Sequence, residues 1–177
     1  MSYSNKIVST NDAIALNAAN VALCYGHFNL IHPGHLRYLQ HAKTLATKLV
    51  IIVISDKELD KDSFGRHFSE EERAESLANL QIVDHVIILN NSTLDKLIDV
   101  IKPEVLVLGK EYEQEQSKQI ALAINAVNSQ GRVVFHAGET HYFTANLLHG
   151  NVLDIEKTSI DSFKAICKNH KLTLNTL

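Results

Sequence analysis

The stretch Val21–His35, with the sequence VALCYGHFNLIHPGH, changes from an apolar run into a turn that carries two glycines and three histidines. Four apolar residues in succession, Val21–Cys24, are typical of a short buried strand. Pro33 has a fixed φ angle and no backbone N–H, so it suits the first turn of a helix. The stretch therefore predicts a strand, a tight turn and a helix that begins near Gly34.

A junction of this kind favours the binding of an anion. The first backbone N–H groups of a helix lack acceptors within the helix, and the helix dipole places its positive end there. Gly26 and Gly34 would let the backbone approach a ligand closely. His32 and His35 are three residues apart, so their rings can face the same oxygens. We therefore predict a phosphate site at this turn.

The same histidines could instead be structural residues, bonded at the surface or in the core. A metal site built from His27, His32 and His35 is also conceivable because imidazole binds zinc. No carboxylate close by in the sequence completes such a ligand set, and Cys24 is expected to be a small buried or inert thiol of the first predicted strand. We therefore predict no protein-bound metal.

The rest of the chain alternates between the two periodicities of strands and helices. Leu49–Ile54 is continuously apolar and rich in β-branched residues, as expected of a parallel strand covered on both faces. Ser69 and Glu72 have the spacing of a capping box at the start of a helix. The predicted strands are 21–24, 49–54, 85–89, 105–108 and 133–135. The predicted helices are 11–20, with Thr10 or Asn11 as its cap, 34–47, 69–80, 93–101 and 113–129.

This alternation predicts an α/β fold, a Rossmann-like open five-stranded parallel sheet with helices on both faces. A ligand of such a sheet binds at the carboxyl ends of the strands, where the strand order reverses. We expect that point to lie beside the first predicted strand. The predicted organisation is a lead-in segment with a short helix over 1–20, a catalytic domain over 21–150 and a helical tail or linker over 151–177.

Composition narrows the class of protein. The 177 residues are 45% hydrophobic and 21% charged, which is ordinary for a compact soluble enzyme. A net charge of −3 argues against a general nucleic-acid binder. Two cysteines are too few for a disulfide scaffold. Because no secretion signal or membrane-spanning apolar stretch is visible, we expect a cytoplasmic protein without a membrane partner.

The segment His32–His35, HPGH, resembles the His-x-Gly-His signature of the cytidylyltransferase-like nucleotidyltransferase superfamily. Within it, the chain is most similar to glycerol-3-phosphate cytidylyltransferase and to the adenylyltransferase domain of the bacterial heptose-phosphate kinase/adenylyltransferase. The resemblance extends over residues 6–148. It includes Ser55-Asp56 after the second predicted strand, Glu72 within Ser69–Arg73, and Gly109–Tyr112 after a later strand.

The resemblance implies transfer of a nucleoside monophosphate from CTP or ATP to a phosphorylated sugar or polyol, with release of pyrophosphate. It also implies Mg²⁺ held mainly by the nucleotide, and a homodimer. The catalytic residues it implies are His32, His35, Lys61 and Arg73. The nucleotide-binding residues it implies are Tyr25, Gly26, His27, Phe28, Asn29, Gly34, Gly109, Glu111, Tyr112 and Thr144. Asp56 and Arg66 are the implied substrate-binding residues.

Three positions depart from the pattern of these relatives. His27 stands where a small residue is common, Asn29 where Asp is usual, and Ala145 within a run of hydroxyl residues. They leave open a catalytically weakened nucleotide-binding or regulatory domain, or an adenylyltransferase that acts on a cofactor precursor such as phosphopantetheine. The tail could pack on the domain, support a dimer or lead to a further domain in a longer chain. Class I aminoacyl-tRNA synthetases share a similar histidine motif, but this chain lacks the length for a tRNA-binding body.

Overall fold

Six parallel strands form one sheet in the described part of the computed structural model, which covers residues 3–16, 20–59, 68–114, 117–128 and 131–136. In chain order the strands are β1 (Ile7–Val8), β2 (Val21–Gly26), β3 (Lys48–Ile54), β4 (His85–Leu89), β5 (Val105–Gly109) and β6 (Arg132–His136). Their order across the sheet is β1-β4-β3-β2-β5-β6. All described residues fall within Met1–His141, the first of two units into which the chain divides. The predicted tail over 151–177 lies outside them.

Helices connect the strands. The α-helices are α1 (Pro33–Thr44), α2 (Glu70–Ala78), α3 (Leu94–Ile101), α4 (Glu111–Gln114) and α5 (Lys118–Asn128). Two 3₁₀ helices, Tyr3–Lys6 and Asp12–Leu16, precede β2. Among the described residues, no helix combines the length and the apolar character needed to cross a membrane.

Alternating side chains of β3 divide the core into two layers. Val50 and Ile52 pack with α3 and α5 on one face of the sheet. Leu49, Ile51 and Val53 pack with α1 and α2 on the other face. All five side chains are fully buried, which explains why the strand is apolar without interruption. The predicted α/β sheet with helices on both faces is confirmed.

The structure differs from the sequence-based expectation in detail. It adds a sixth strand, β1, whose two residues pair with Val86 and Ile87 at the edge of the sheet. The lead-in helix is a short 3₁₀ helix, and Ser9 rather than Thr10 or Asn11 caps it, since Ser9 Oγ accepts from the Asp12 N–H at 3.2 Å. The single helix expected over 113–129 is two helices, α4 and α5.

The strand order reverses at β2. Its neighbours are β3, where Gly26 is paired with Val53, and β5, where Cys24 is paired with Val107. The chain runs outward from β2 through β3 to β4 and then crosses back to β5 on the other side. A crevice is expected at the carboxyl ends of β2 and β5. The turn that follows β2 lies at this edge.

Candidate functional site

The turn between β2 and α1 is tight. Phe28 has a φ of 51°, a left-handed conformation that non-glycine residues rarely adopt. Its side chain is 4% exposed, and a Cβ atom at Gly26 would lie 3.1 Å from the Phe28 ring. Asn29 is also buried, and its Oδ1 accepts from the backbone N–H of Phe68 at 2.7 Å. The turn is therefore held by its own packing and by the segment before α2.

His32 caps helix α1 with its side chain. Its Nδ1 accepts from the backbone N–H of Gly34 at 3.1 Å, so in the neutral ring the proton is on Nε2. Pro33 has no N–H, and the Leu36 N–H bonds the His32 carbonyl at 3.1 Å. In the first turn of α1, the backbone N–H of His35 is left without an acceptor among the described residues. That N–H and His32 Nε2–H are two donors for an anion.

The His35 ring lies beside that of His32. The ring centroids are 3.9 Å apart with an interplanar angle of 24°, which is a stacked arrangement. His35 Nδ1 is 3.0 Å from the carbonyl oxygen of Leu30. Because a carbonyl only accepts, Nδ1 carries the proton, and Nε2 of the neutral His35 ring is an acceptor. The two rings thus present opposite hydrogen-bonding characters at Nε2 while both are neutral.

The pKa values of both histidines are lowered in the unliganded protein. Burial, with a smaller contribution from the charge of Arg37, lowers the pKa of His32. Burial and the neighbouring His32 lower the pKa of His35 to about 4, although its hydrogen bond to Leu30 acts in the other direction. A bound polyanion would oppose these effects, because it favours the charged imidazolium.

Arg73 lies with its guanidinium among backbone carbonyls at the end of the sheet. Its side chain is buried, and its guanidinium donates to the carbonyls of His27 at 2.6 Å, Ile54 at 2.8 Å and Phe68 at 3.0 Å. It also donates to Asp56 Oδ1 at 2.6 Å. The guanidinium therefore joins the turn after β2, the end of β3 and the start of α2. This geometry suits a residue that holds the turn after β2 in position.

Asp56 is bonded on both carboxylate oxygens. Oδ1 accepts from Arg73, and Oδ2 accepts from the Glu70 N–H at 3.2 Å at the start of α2. Glu70 Oε2 in turn accepts from the Asp56 N–H at 2.7 Å. The Asp56 side chain is 36% exposed, so a ligand can still reach it. The capping box of Ser69 and Glu72 fixes the same helix start.

Strand β5 pairs with β2 on the side opposite β3, so the end of β5 lies at the same edge of the sheet as the turn after β2. A Cβ atom at Gly109 would overlap the carboxylate of Glu111, so the Glu111 side chain lies directly over this glycine. The Tyr112 ring is 6.1 Å from the Tyr25 ring, and burial raises the pKa of Tyr112 to about 12. Tyr25 is 5% exposed and belongs to the core beneath the crevice.

Most of the predicted site residues thus come together at one edge of the sheet. Those on the turn, at the start of α1 and at the ends of β3 and β5 share this edge. Lys61, Arg66 and Thr144 lie outside the described residues, as does Ala145. Among the described residues, no group of three or more histidine, cysteine or carboxylate side chains is arranged to hold a metal ion.

Sequence reasoning missed a cavity at the same edge, between the ends of β3 and β4 and the start of α3. Its volume is about 240 Å³, and we call it the β3–β4 pocket. The polar residues that line it include Ser55, Lys57, Asn90, Asn91, Thr93 and Lys96. The signal in the sequence is the polar run Asn90–Thr93 directly after a buried strand.

Comparison with known proteins agrees with this architecture. The family model described as Cytidylyltransferase-like matches residues 23–146, more than half of the chain. Bifunctional protein HldE of Helicobacter pylori is 35% identical over 103 residues, covering 57% of this chain and 22% of that protein. HldE of Syntrophotalea carbinolica is 38% identical over 97 residues, covering 54% and 20%. The chain thus spans about a fifth of the length of these relatives.

Solved structures share the fold. A lipopolysaccharide core biosynthesis protein from Thermoplasma volcanium has a TM-score of 0.55 at 23% identity, covering 68% of this chain and 98% of that one. Pantoate-beta-alanine ligase from Francisella tularensis has a TM-score of 0.59 at 13% identity, covering 85% and 75%. With the histidine-capped helix at the reversal of strand order and the family match across it, the chain belongs to the cytidylyltransferase-like family.

Proposed function

We propose that the chain transfers a nucleoside monophosphate from CTP or ATP to a phosphorylated sugar or polyol and releases pyrophosphate. The observation that carries this proposal is the stacked pair His32 and His35 at the start of α1, at the reversal of strand order. The likeness to HldE over more than half of the chain supports the same class of reaction.

In the proposed reaction an oxygen of the acceptor phosphate attacks the α-phosphorus of the nucleotide. The bond between that phosphorus and the bridging oxygen to the β-phosphate breaks, and pyrophosphate leaves. No protein nucleophile is needed, so the chain acts by positioning and by charge stabilisation. The donors are His32 Nε2–H and the backbone N–H of His35, and a protonated His35 ring adds a third.

Mg²⁺ in this proposal neutralises charge on the triphosphate and is held by phosphate oxygens, as that ion prefers. Lys61 and Arg66 remain proposed cationic helpers, and Thr144 a proposed nucleotide contact. Arg73 and Asp56 enter the proposal as a pair that holds the turn in place.

The direct test is pyrophosphate release from CTP and from ATP with Mg²⁺ and a panel of acceptors. Glycerol 3-phosphate and mannose 1-phosphate represent the polyol and sugar phosphates, and phosphopantetheine represents the cofactor precursors. We expect release with one nucleotide and an acceptor of the first class. Release with phosphopantetheine alone, or nucleotide binding without any release, would overturn the proposal.

The unequal histidines predict that nucleotide binding takes up a proton. The unliganded His35 has a pKa of about 4 and presents an acceptor at Nε2, whereas a phosphate oxygen needs a donor there. A bound triphosphate raises this pKa, so between the two values the affinity increases as the pH falls, by up to about tenfold per pH unit. Calorimetry in two buffers of different ionisation enthalpy measures the uptake.

The nucleotide itself titrates near neutral pH, so the comparison is made with His35→Asn under saturating Mg²⁺. We expect the wild type to take up more protons than this variant at pH 6. Equal uptake by the two proteins would show that His35 stays neutral in the complex.

A further inference from the structure

We propose that the β3–β4 pocket binds the hydroxyl-bearing part of the phosphorylated acceptor. The inference rests on the proposed function, because it assigns the second substrate of that reaction to a place in the fold. The pocket has room for several groups of the size of a water molecule. It is a cavity separate from the stacked histidines and lies at the ends of different strands.

Ser55 supplies the first argument. It is 2% exposed, it lines the pocket, and its hydroxyl makes no hydrogen bond with any residue that the structure describes. No described residue pairs with this hydroxyl, so water or a ligand in the pocket has to satisfy it. A ligand hydroxyl in the pocket would satisfy it, since a serine can donate and accept at once.

Helix α3 supplies a second set of donors. Thr93 is its N-cap residue, but the Thr93 side chain makes no capping hydrogen bond. The Leu97 N–H bonds the Thr93 carbonyl at 3.1 Å, and the backbone N–H groups of 94–96 have no acceptor among the described residues. The start of α3 therefore offers donors and the positive end of the helix dipole to the pocket.

The charges and amides that line the pocket agree with a hydroxylated anion. Lys57 and Lys96 are exposed cations, and the one carboxylate of the lining, Glu58, is 3.5 Å from Gln119 Nε2. The Asn90 amide is oriented, because its Nδ2 donates to Glu70 Oε1 at 2.9 Å. Its Oδ1 is then an acceptor for a hydroxyl. Two lysines against one glutamate favour a phosphorylated molecule over a neutral one.

The pocket also lies at a suitable place for the reaction. Strand β3 lies between β2 and β4, and neighbouring strands are about 4.8 Å apart. The carboxyl ends of β3 and β4 are therefore roughly 5–10 Å from the turn after β2. An acceptor whose phosphate reaches that turn would extend its carbon skeleton over the pocket.

The first experiment compares Ser55→Ala/Lys96→Ala with the wild type in pyrophosphate release. Loss of one hydrogen bond and one cation is expected to raise the KM of the acceptor by about tenfold. The KM of the nucleotide should change by less than about twofold, because that site is untouched. Lys48→Ala is the matched control, since Lys48 is an exposed lysine at the opposite end of β3. Equal changes in both KM values would overturn the proposal.

A binding experiment separates this inference from the proposed function. Backbone amide shifts of Asn91 and Lys96 are followed by NMR while mannose 1-phosphate, glycerol 3-phosphate or inorganic phosphate is added without nucleotide. We expect shifts with either organic phosphate, weaker shifts with inorganic phosphate, and none in the double variant. If these shifts occur without any transfer activity, the subsite stands and the proposed function fails. Transfer without these shifts overturns the subsite alone, and equal shifts with inorganic phosphate overturn its selectivity for hydroxyls.

Discussion

His32→Asn and His35→Asn are each expected to lower kcat by about 10²–10³-fold, the usual loss when one preorganised donor to a developing charge is removed. Asparagine is among the best N-cap residues, so His32→Asn keeps the bond to the Gly34 N–H and removes only the imidazole. The fold should therefore survive while the reaction is lost. Steady-state pyrophosphate release, with circular dichroism as a check on folding, measures both.

His41→Asn is the control for this prediction. His41 is on the same helix, and its ring stacks on that of His136 at 4.2 Å rather than facing the turn. Its replacement should leave transfer within about twofold of the wild type. The assignment of charge stabilisation to His32 and His35 is wrong if their variants keep wild-type kcat, or if His41→Asn loses as much.

Arg73→Leu is expected to destabilise the protein by about 3 kcal/mol or more. The change removes the guanidinium hydrogen bonds to the carbonyls of His27, Ile54 and Phe68, at about 1–3 kcal/mol each, and the apolar leucine offsets this loss in part. A loss of this size lowers the melting temperature by roughly 6–12 °C for a chain of this length. Urea unfolding and thermal melts measure it.

Arg132→Leu provides the comparison, because Arg132 is exposed at the start of β6 and should contribute less than about 0.5 kcal/mol. Arg73→Lys keeps the charge but cannot reach all four acceptors, so its stability should be intermediate. A stable Arg73→Leu protein would show that the guanidinium is not what joins the three segments. Normal stability with lost transfer would instead assign Arg73 to the reaction itself.

The sheet can be predicted because most of its strands are continuous apolar runs in the sequence. Leu49–Ile54 and Val105–Leu108 are apolar on both faces, and only a strand covered on both sides needs that pattern. The start of α2 can also be predicted from the sequence, since Ser69 and Glu72 form the capping box that their spacing indicates. Strand β1 cannot be predicted in this way, because two residues are too few to show a periodicity. They become a strand only by pairing with β4 in the folded sheet.

The buried position of Arg73 is a feature that the sequence interpretation did not include. The resemblance implies a cation near the nucleotide phosphates, and the glutamates that precede Arg73 suggest instead an exposed partner of Glu70 or Glu72. A signal is nevertheless present: Arg73 is four residues before the buried Leu77 and thus on the inner face of α2. The β3–β4 pocket escapes prediction for a different reason, because its residues come from two strand ends and a helix start that meet only in the folded sheet.

A crystal structure with a nonhydrolysable triphosphate and Mg²⁺ tests the role of the histidine pair most directly. We predict phosphate oxygens within about 3 Å of Nε2 of both His32 and His35, the distance of a charge-assisted hydrogen bond. We also predict the backbone N–H of His35 bonded to the same phosphates. A triphosphate bound away from the start of α1, with the two rings still stacked and unbonded at Nε2, would contradict this role.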